Sequence, residues 1–426
     1  MTTPSTIEGV DRAAERVARS SYGKLIAILT RRDKDIAAAE DALSEALVAA
    51  LQRWPVDGVP NNPEAWLITA ARNRLKNRAR AHGIQRAAEP EIQRRLDELA
   101  PHGDQFDERL SLMFLCAHPA IDIAVRTPLI LQVVLGIDAG RIARAFLVEP
   151  TAMSQRLVRA KARIRDAGLR YALPEAGDMP ERLGAVLDAI YAAFGQGWDR
   201  LDGLDTPDAL TGEAIWLARL IVQLMPDQPE PKGLLALMLY CAARQTARRD
   251  GKGRFVPLDQ QDPRLWDRNL IIEAEGLLMT AARAGTFGRF QCEAAIQSVH
   301  IQRPITGALN LAALRTIYDL LIDRADSIAA RIGRAVVIAE AGDPTAALAE
   351  LDTLPLARVR AHQPWWVARS HVSALAGLRD DAVASIQEAI ALTEDEAVRA
   401  HLIERHERLA GAAGSLDANH RTDTAI

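Results

Sequence analysis

The sequence is poor in the residues from which sheets, disulfide frameworks and many catalytic sites are built. Aromatics make up only 4% of its 426 residues. Alternating runs of Val, Ile and Thr are almost absent, which leaves little material for half-buried strands and favours helices built from the abundant Ala and Leu. Three cysteines, Cys116, Cys241 and Cys292, lie far apart, without C-x-x-C spacing or nearby histidine pairs. Neither a disulfide framework nor a zinc site is expected from them, and the compartment they imply is reducing. No apolar run approaches the roughly 20 residues that span a bilayer. The N-terminal "MTTPSTIEGVDRAAERVARS" lacks the apolar centre of a signal peptide, so a cytoplasmic protein with no membrane contact is expected. A Gly-rich phosphate loop, a nucleophile elbow and an H-E-x-x-H motif are all missing, and no carboxylate pair stands out from a solvated face. The expectation is therefore a non-enzyme that uses no cofactor and no metal.

What is present is a large apolar fraction, 49%, and charge that is segregated along the chain. The net charge is only −4, which argues against a protein that coats nucleic acid all over. Yet "RNRLKNRARAHGIQR" (Arg72–Arg86) contains no acid, and "QRLVRAKARIRDAGLR" (Gln155–Arg170) contains one, Asp166. The acidic balance lies elsewhere, as in "DKDIAAAEDALSEAL" (Asp33–Leu47). Segregated charge points to different partners for different surfaces. The plainer alternative is that each run is a solvated helix face.

Breaks divide the chain. A helical block over 10–82 contains the loop "VPNNPEAW", with Asn62 as N-cap and Pro63 at the first helical position, where a missing N–H costs nothing. A polar stretch over 83–106 reads as a linker and 107–173 as a second helical block. After the connection "LPEAGDMPE" a longer block fills 178–412, and 413–426 reads as a disordered tail. In the long block Ala339, Gly342, Ala347 and Leu351 recur as Ala374, Gly377, Ala382 and Ile386, which predicts stacked helix pairs of the tetratricopeptide (TPR) kind. "RRDGKGRFVPL" gives the one strand signal, a small β-hairpin. The fold class read from this pattern is all-α.

The stretch "RIARAFLVEPTAMSQRLVRAKARIR" (Arg141–Arg165) carries the sharpest chemistry. A first helix, N-capped by Asp138, supplies Ile142, Ala143 and Phe146 to a core. After the corner at Pro150, Met153, Leu157, Ala160 and Ile164 form one buried stripe at helical spacing. The opposite side carries Thr151, Gln155, Arg159 and Ala162, with Ser154 and Val158 beside them. Arg156 and Arg163 flank this strip on one edge, Lys161 and Arg165 on the other. A helix in a major groove needs this division, hydrogen-bonding groups toward base edges and cations toward the phosphate walls. Helical hairpins of ordinary cores share the pattern.

The same stretch resembles region 4 of extracytoplasmic-function (ECF) sigma factors of the sigma-70 family, in the form found in a subgroup with a C-terminal helical extension. "LSLMFLCAHPAIDIAVRTPLILQVVLGI" resembles the run that leads into that helix-turn-helix. "AAEDALSEALVAALQRWP" and "PEAWLITAARNRLKNRAR" resemble region 2, and "LDAIYAAFGQGW", "GLLALMLYCAARQTARRD", "LDQQDPRLWDRNLI" and "EAAIQSVHI" extend the similarity into the extension. The resemblance implies two sigma modules followed by a TPR-like domain, with core RNA polymerase and promoter DNA as partners. It also implies a link to a small DGPF/YCII-like protein or another protein through the C-terminal domain. Thr151, Ser154, Gln155, Arg156, Arg159, Lys161 and Arg163 would meet the minus-thirty-five element. Asn61, Asn62, Arg72, Asn73, Lys76 and Arg80 would meet the minus-ten element, the two asparagines offering donors and acceptors to a flipped base. Asp35, Glu40, Asp41 and Glu45 would face the polymerase, with Ser44 standing where many family members have Gln. Trp66 reads as packing rather than as a stacking platform. The rival reading is a helix-turn-helix regulator with a TPR sensor, which needs only one DNA module.

Overall fold

The computed structural model describes residues 21–31, 35–81, 108–146, 148–169, 171–175, 177–199 and 207–420. The expected linker over 83–106 lies outside the described residues. These residues are all-α, and they divide into two compact units, one ending at Leu217 and the other starting at Ala218.

The first unit begins with a helix over 21–31 (α1), then α2 (Ile36–Asp57) and α3 (Pro63–Ala81). Asp35 caps α2 by accepting from the Ala38 N–H at 3.0 Å. Ile36, Ala39, Leu43, Ala46, Ala50 and Trp54 bury one face, and Gly58, at φ 84°, ends the helix in a conformation that suits glycine. Asn62 caps α3 as its sequence position suggests, accepting from the Ala65 N–H at 3.0 Å. Four helices follow: α4 (Glu108–Cys116), α5 (Ile123–Val133), α6 (Ala139–Ala145) and α7 (Pro150–Asp166). α4 and α5 are apolar on nearly every side because they form the centre of the unit.

α1 crosses the end of α5 at backbone contact: a Cβ on Gly23 would lie 1.9 Å from the Val134 carbonyl oxygen. The Tyr171 hydroxyl lies within hydrogen-bonding reach of the Ala27 and Glu108 carbonyls, at 3.1 and 2.8 Å. α8 (Met179–Asp199) packs on α4 and α5, and buried Arg126 on α5 joins it through Glu181 at 2.6 Å. Buried Arg109 on α4 pairs with Glu213 of α9 (Pro207–Leu224) and stacks 4.0 Å above the Trp216 ring. The helix after the Pro-containing connection therefore belongs to the first compact unit.

In the second unit, α10 (Pro229–Ala243) is buried on most of its length between α11 (Arg268–Ala282) and α12 (Arg289–Thr306). Glu230 ties α10 to α12, accepting from the Phe290 and Gln291 N–H groups at 3.0 and 3.1 Å. Then come α13 (Leu311–Arg324), α14 (Ile328–Glu340), α15 (Pro344–Asp352), α16 (Leu356–Val359), α17 (Gln363–Leu375), α18 (Arg379–Ala391) and α19 (Glu396–His420). The internal repeat is visible as α14–α15 and α17–α18. Gly342 and Gly377 turn each pair at positive φ, and Ala347 and Leu351 are buried as Ala382 and Ile386 are. Ala374 departs from the pattern: it is exposed where Ala339 is buried. Helix α19 continues to His420, past the expected start of the tail at 413.

The expected β-hairpin reduces to one antiparallel bridge, Arg249 with Phe255, and no strand occurs among the described residues. Asp250 gathers the turn by accepting from the Lys252 and Arg254 N–H groups, both at 2.9 Å. Pro257 then follows, without the N–H that a longer ladder needs.

Candidate nucleic-acid interface

Helix α7 buries Met153, Leu157, Ala160 and Ile164, the stripe that its periodicity predicts. Its other faces divide into an open side and a docked side. On the open side Thr151, Ser154, Gln155, Arg156, Arg159 and Arg163 are all exposed. Val158 joins them with 62% of its surface exposed. Arg159 holds its own helix, donating from Nε to the Gln155 carbonyl at 3.3 Å. Between this side and the start of α5 lies an open cleft of about 490 Å³, lined by Arg156, Arg159, Arg163, Asp122 and Ala124 among others. Three guanidinium groups over a cleft give a surface that attracts phosphate.

On the docked side Lys161 is placed differently from the phosphate wall expected of it. Its Nζ donates to Glu40 Oε2 at 2.7 Å and to Gln132 Oε1 at 3.2 Å. The Lys161 and Glu40 side chains are only 11% and 18% exposed. Burial and Glu40 together push the Tyr22 hydroxyl up from its ordinary pKa. Arg165, on the same edge, pairs with Asp166 at 2.8 Å and lies 4.0 Å from Asp35. Glu40, expected to face a partner protein, is therefore turned inward against α7.

The rest of the acidic side of α2 meets α3. Glu45 pairs with Arg74 at 2.5 Å and Asp41 with Arg78 at 2.9 Å, all four largely exposed. That leaves Arg72, Asn73 and Lys76 exposed on another side of α3; the Arg80 side chain lies outside the described residues. Asn61 is exposed, whereas the side-chain oxygen of Asn62 is engaged in capping. Trp54 is 1% exposed and meets Trp66 edge to face at 5.6 Å, so Trp54 is packing material and offers no platform for a base. Next to Asp41 and Glu45 the apolar Val48 and Leu51 are exposed. Sequence reasoning passed over them, although both fall off the buried stripe of α2, which was the available signal. The α5 side of the cleft, Asp122 and Ala124, was missed in the same way.

Comparison with known proteins bears on the α1–α3 part of this geometry. Residues 17–84 match sigma-70 region 2, and residues 182–282 match a family of unknown function, DUF6596. The uncharacterized protein R00370 of Rhizobium meliloti (strain 1021) is 36% identical over 344 residues, covering 79% of this chain and 81% of that protein. The chain belongs to the same family as that protein. Its N-terminal module is a sigma-70 region 2, formed here by the α1–α3 part of the first unit, and this supports a sigma-70 family factor with a sigma-factor-like role in transcription initiation. Such a module implies binding to core RNA polymerase and promoter DNA. No solved structure matches the chain. No helix among the described residues is long and apolar enough to cross a membrane.

Proposed function

We propose that the chain is an ECF-type sigma factor whose C-terminal helical extension, TPR-like in its paired repeats, serves regulation or protein contact. The observation that carries this reading is the joint presence of a region-2 match and, downstream, the α6–α7 corner with one buried stripe and an exposed polar and basic face. A helix-turn-helix regulator with a sensor domain would need only the second of these.

In this reading α7 enters the major groove at the minus-thirty-five element. Gln155 and Arg159 reach base edges there, with Thr151 and Ser154 alongside, and Val158 supplies the apolar contact that suits a thymine methyl. Arg156 and Arg163 take the phosphate side, and the cleft beside them receives backbone. Lys161 acts chiefly as an anchor to α2. Arg72, Asn73, Lys76 and Arg80 follow the backbone at the minus-ten element, and Asn61 is better placed than the capping Asn62 to meet an unpaired base. Asp41 and Glu45, with the exposed Val48 and Leu51 in the turns that follow, form the polymerase-facing side of α2.

Run-off transcription with purified core polymerase tests the proposal. Promoter-specific transcripts that depend on added chain are expected. Tight, specific promoter binding by the chain alone, with no polymerase-dependent transcript, would establish the regulator instead.

A further inference from the structure

Four arginines are buried among the described residues: Arg109, Arg126, Arg182 and Arg244. The first three each have a carboxylate partner, Glu213, Glu181 and Asp178 respectively. Arg244, at the C-terminal end of α10, has none. Its Nε donates to the Tyr240 carbonyl at 3.2 Å and its Nη2 to Gln297 Oε1 of α12 at 2.6 Å. Both acceptors are neutral. The Cys241 thiol also lies within hydrogen-bonding reach of the guanidinium, and of its five N–H donors some remain over, on a cation that is only 7% exposed. Uncompensated buried charge is costly, and structures normally supply a counter-ion.

The surroundings sharpen the point. His300 of α12 is pushed down to about 4 by burial and by the guanidinium groups of Arg244 and Arg303, so it stays neutral beside them. The Asp267 N–H donates to the Ala243 carbonyl at 2.9 Å, which brings Trp266 to the same end of α10. There the Trp266 indole N–H is buried without a hydrogen-bond partner. The Asp267 carboxylate at this end is taken up in capping α11, accepting from the Asn269 and Leu270 N–H groups at 2.9 and 3.2 Å, and no carboxylate pairs with Arg244 among the described residues.

We propose that the C-terminal end of α10 is a binding site for a small oxyanion, a carboxylate or phosphate group, held by the Arg244 guanidinium with Gln297 fixing its orientation. The planar fork of arginine matches either group in two parallel hydrogen bonds. The site is distinct from the nucleic-acid face, and its test needs neither polymerase nor promoter, so it stands or falls apart from the sigma reading.

Thermal unfolding and titration calorimetry of the full chain, with sodium phosphate, sodium acetate or sodium chloride at matched ionic strength, measure the binding. Phosphate, acetate or both should raise the unfolding midpoint above chloride and bind with one-to-one stoichiometry. Acetate alone would identify a carboxylate ligand, and phosphate alone a phosphate ester. Arg244→Gln should abolish the effect, and Arg244→Lys, which keeps the charge without the fork, should weaken binding on the order of tenfold. If Arg244→Gln does not fold, Gln297→Leu replaces it and should also weaken binding. No response beyond chloride, or equal binding by wild type and the folded variants, overturns the proposal.

Discussion

Replacing Lys161 with methionine removes the cation from a pair that holds α7 against α2. The Nζ–Oε2 distance is 2.7 Å and the side chains are 11% and 18% exposed, so the substitution strands the Glu40 carboxylate in a largely dry site beside Tyr22. Breaking a buried pair from one side costs about 3–5 kcal/mol. Glu40 keeps some access to water, which places the expected loss near the lower end, about 3 kcal/mol. At 1.4 kcal/mol per factor of ten, the opening equilibrium of the α2–α7 contact should rise on the order of a hundredfold.

Amide hydrogen exchange followed by mass spectrometry is the suitable assay, because it reports opening segment by segment in a chain with two compact units. Peptides covering 36–57 and 150–166 should lose protection in Lys161→Met and in Glu40→Gln, while peptides from the second unit should not change. The double variant removes both charges and should recover much of the loss, since two neutral side chains leave no ion stranded. Because the pair is shielded from solvent, added salt should change the result little. Unchanged protection in both single variants, or losses that simply add in the double variant, would refute the reasoning.

Gly23→Ala should separate α1 from α5, since the new Cβ meets the Val134 carbonyl at 1.9 Å; limited proteolysis that leaves the first unit as resistant as wild type would contradict this. His300 has its pKa lowered to about 4 from 6.5, so the unfolded chain binds a proton that the folded one declines. Stability of the second unit should be fully present above pH 6.5 and fall by up to about 3 kcal/mol as the pH drops to 4, an extra loss that His300→Gln should remove in urea titrations. In a promoter library, Arg159→Ala and Gln155→Ala should each cost about 1–3 kcal/mol and relax preference at one or two positions, whereas Arg163→Ala should weaken all promoters alike and lower the salt slope by about one. Asp41→Arg with Glu45→Arg should weaken co-purification with core polymerase while leaving the fold intact, because both side chains are exposed; undiminished association would remove α2 from the polymerase contact.

The sequence was most legible where a local rule decides the outcome. The buried stripe of α7 follows from a repeat of 3.6 residues, and the cap at Asn62 from the chemistry of its side chain and the proline after it. Periodicity says which face of a helix a residue occupies, and stops short of saying what lies against that face. The wheel puts Lys161 on one edge of α7, but its partner Glu40 lies 121 residues earlier in the chain, beyond the reach of any helical wheel. The repeat shows the same limit. Its glycines and most of its small residues are set by the turn and the crossing, yet Ala374 is exposed because burial there depends on which helix comes next. The neutral partners of Arg244 were equally invisible: "CAARQTARRD" reads as a basic helix end, and only the fold reveals that among the described residues its bonds go to Tyr240 and Gln297 and to no carboxylate.

Segregated charge read from the sequence suggests separate external partners, whereas within the first unit the acidic side of α2 and the basic helices α3 and α7 are paired with one another. The pairs are not equivalent. Asp41–Arg78 and Glu45–Arg74 are exposed on both sides, and such pairs contribute about 0–1 kcal/mol each. A cationic partner surface can displace Arg78 and Arg74 at little cost, and the released arginines then become free to meet phosphate. Glu40–Lys161 is buried, and its rupture costs several times as much unless both charges find new partners at once. The α2–α3 face is therefore suited to exchange its ion pairs on contact with polymerase and DNA, while the α2–α7 contact resists either partner acting alone. A sigma factor built this way would engage through α2 and α3 first and release α7 only when partners compensate both sides of the buried pair. The exchange measurements on Lys161→Met and Glu40→Gln test the premise of that order, that the buried pair is what holds α7 to α2.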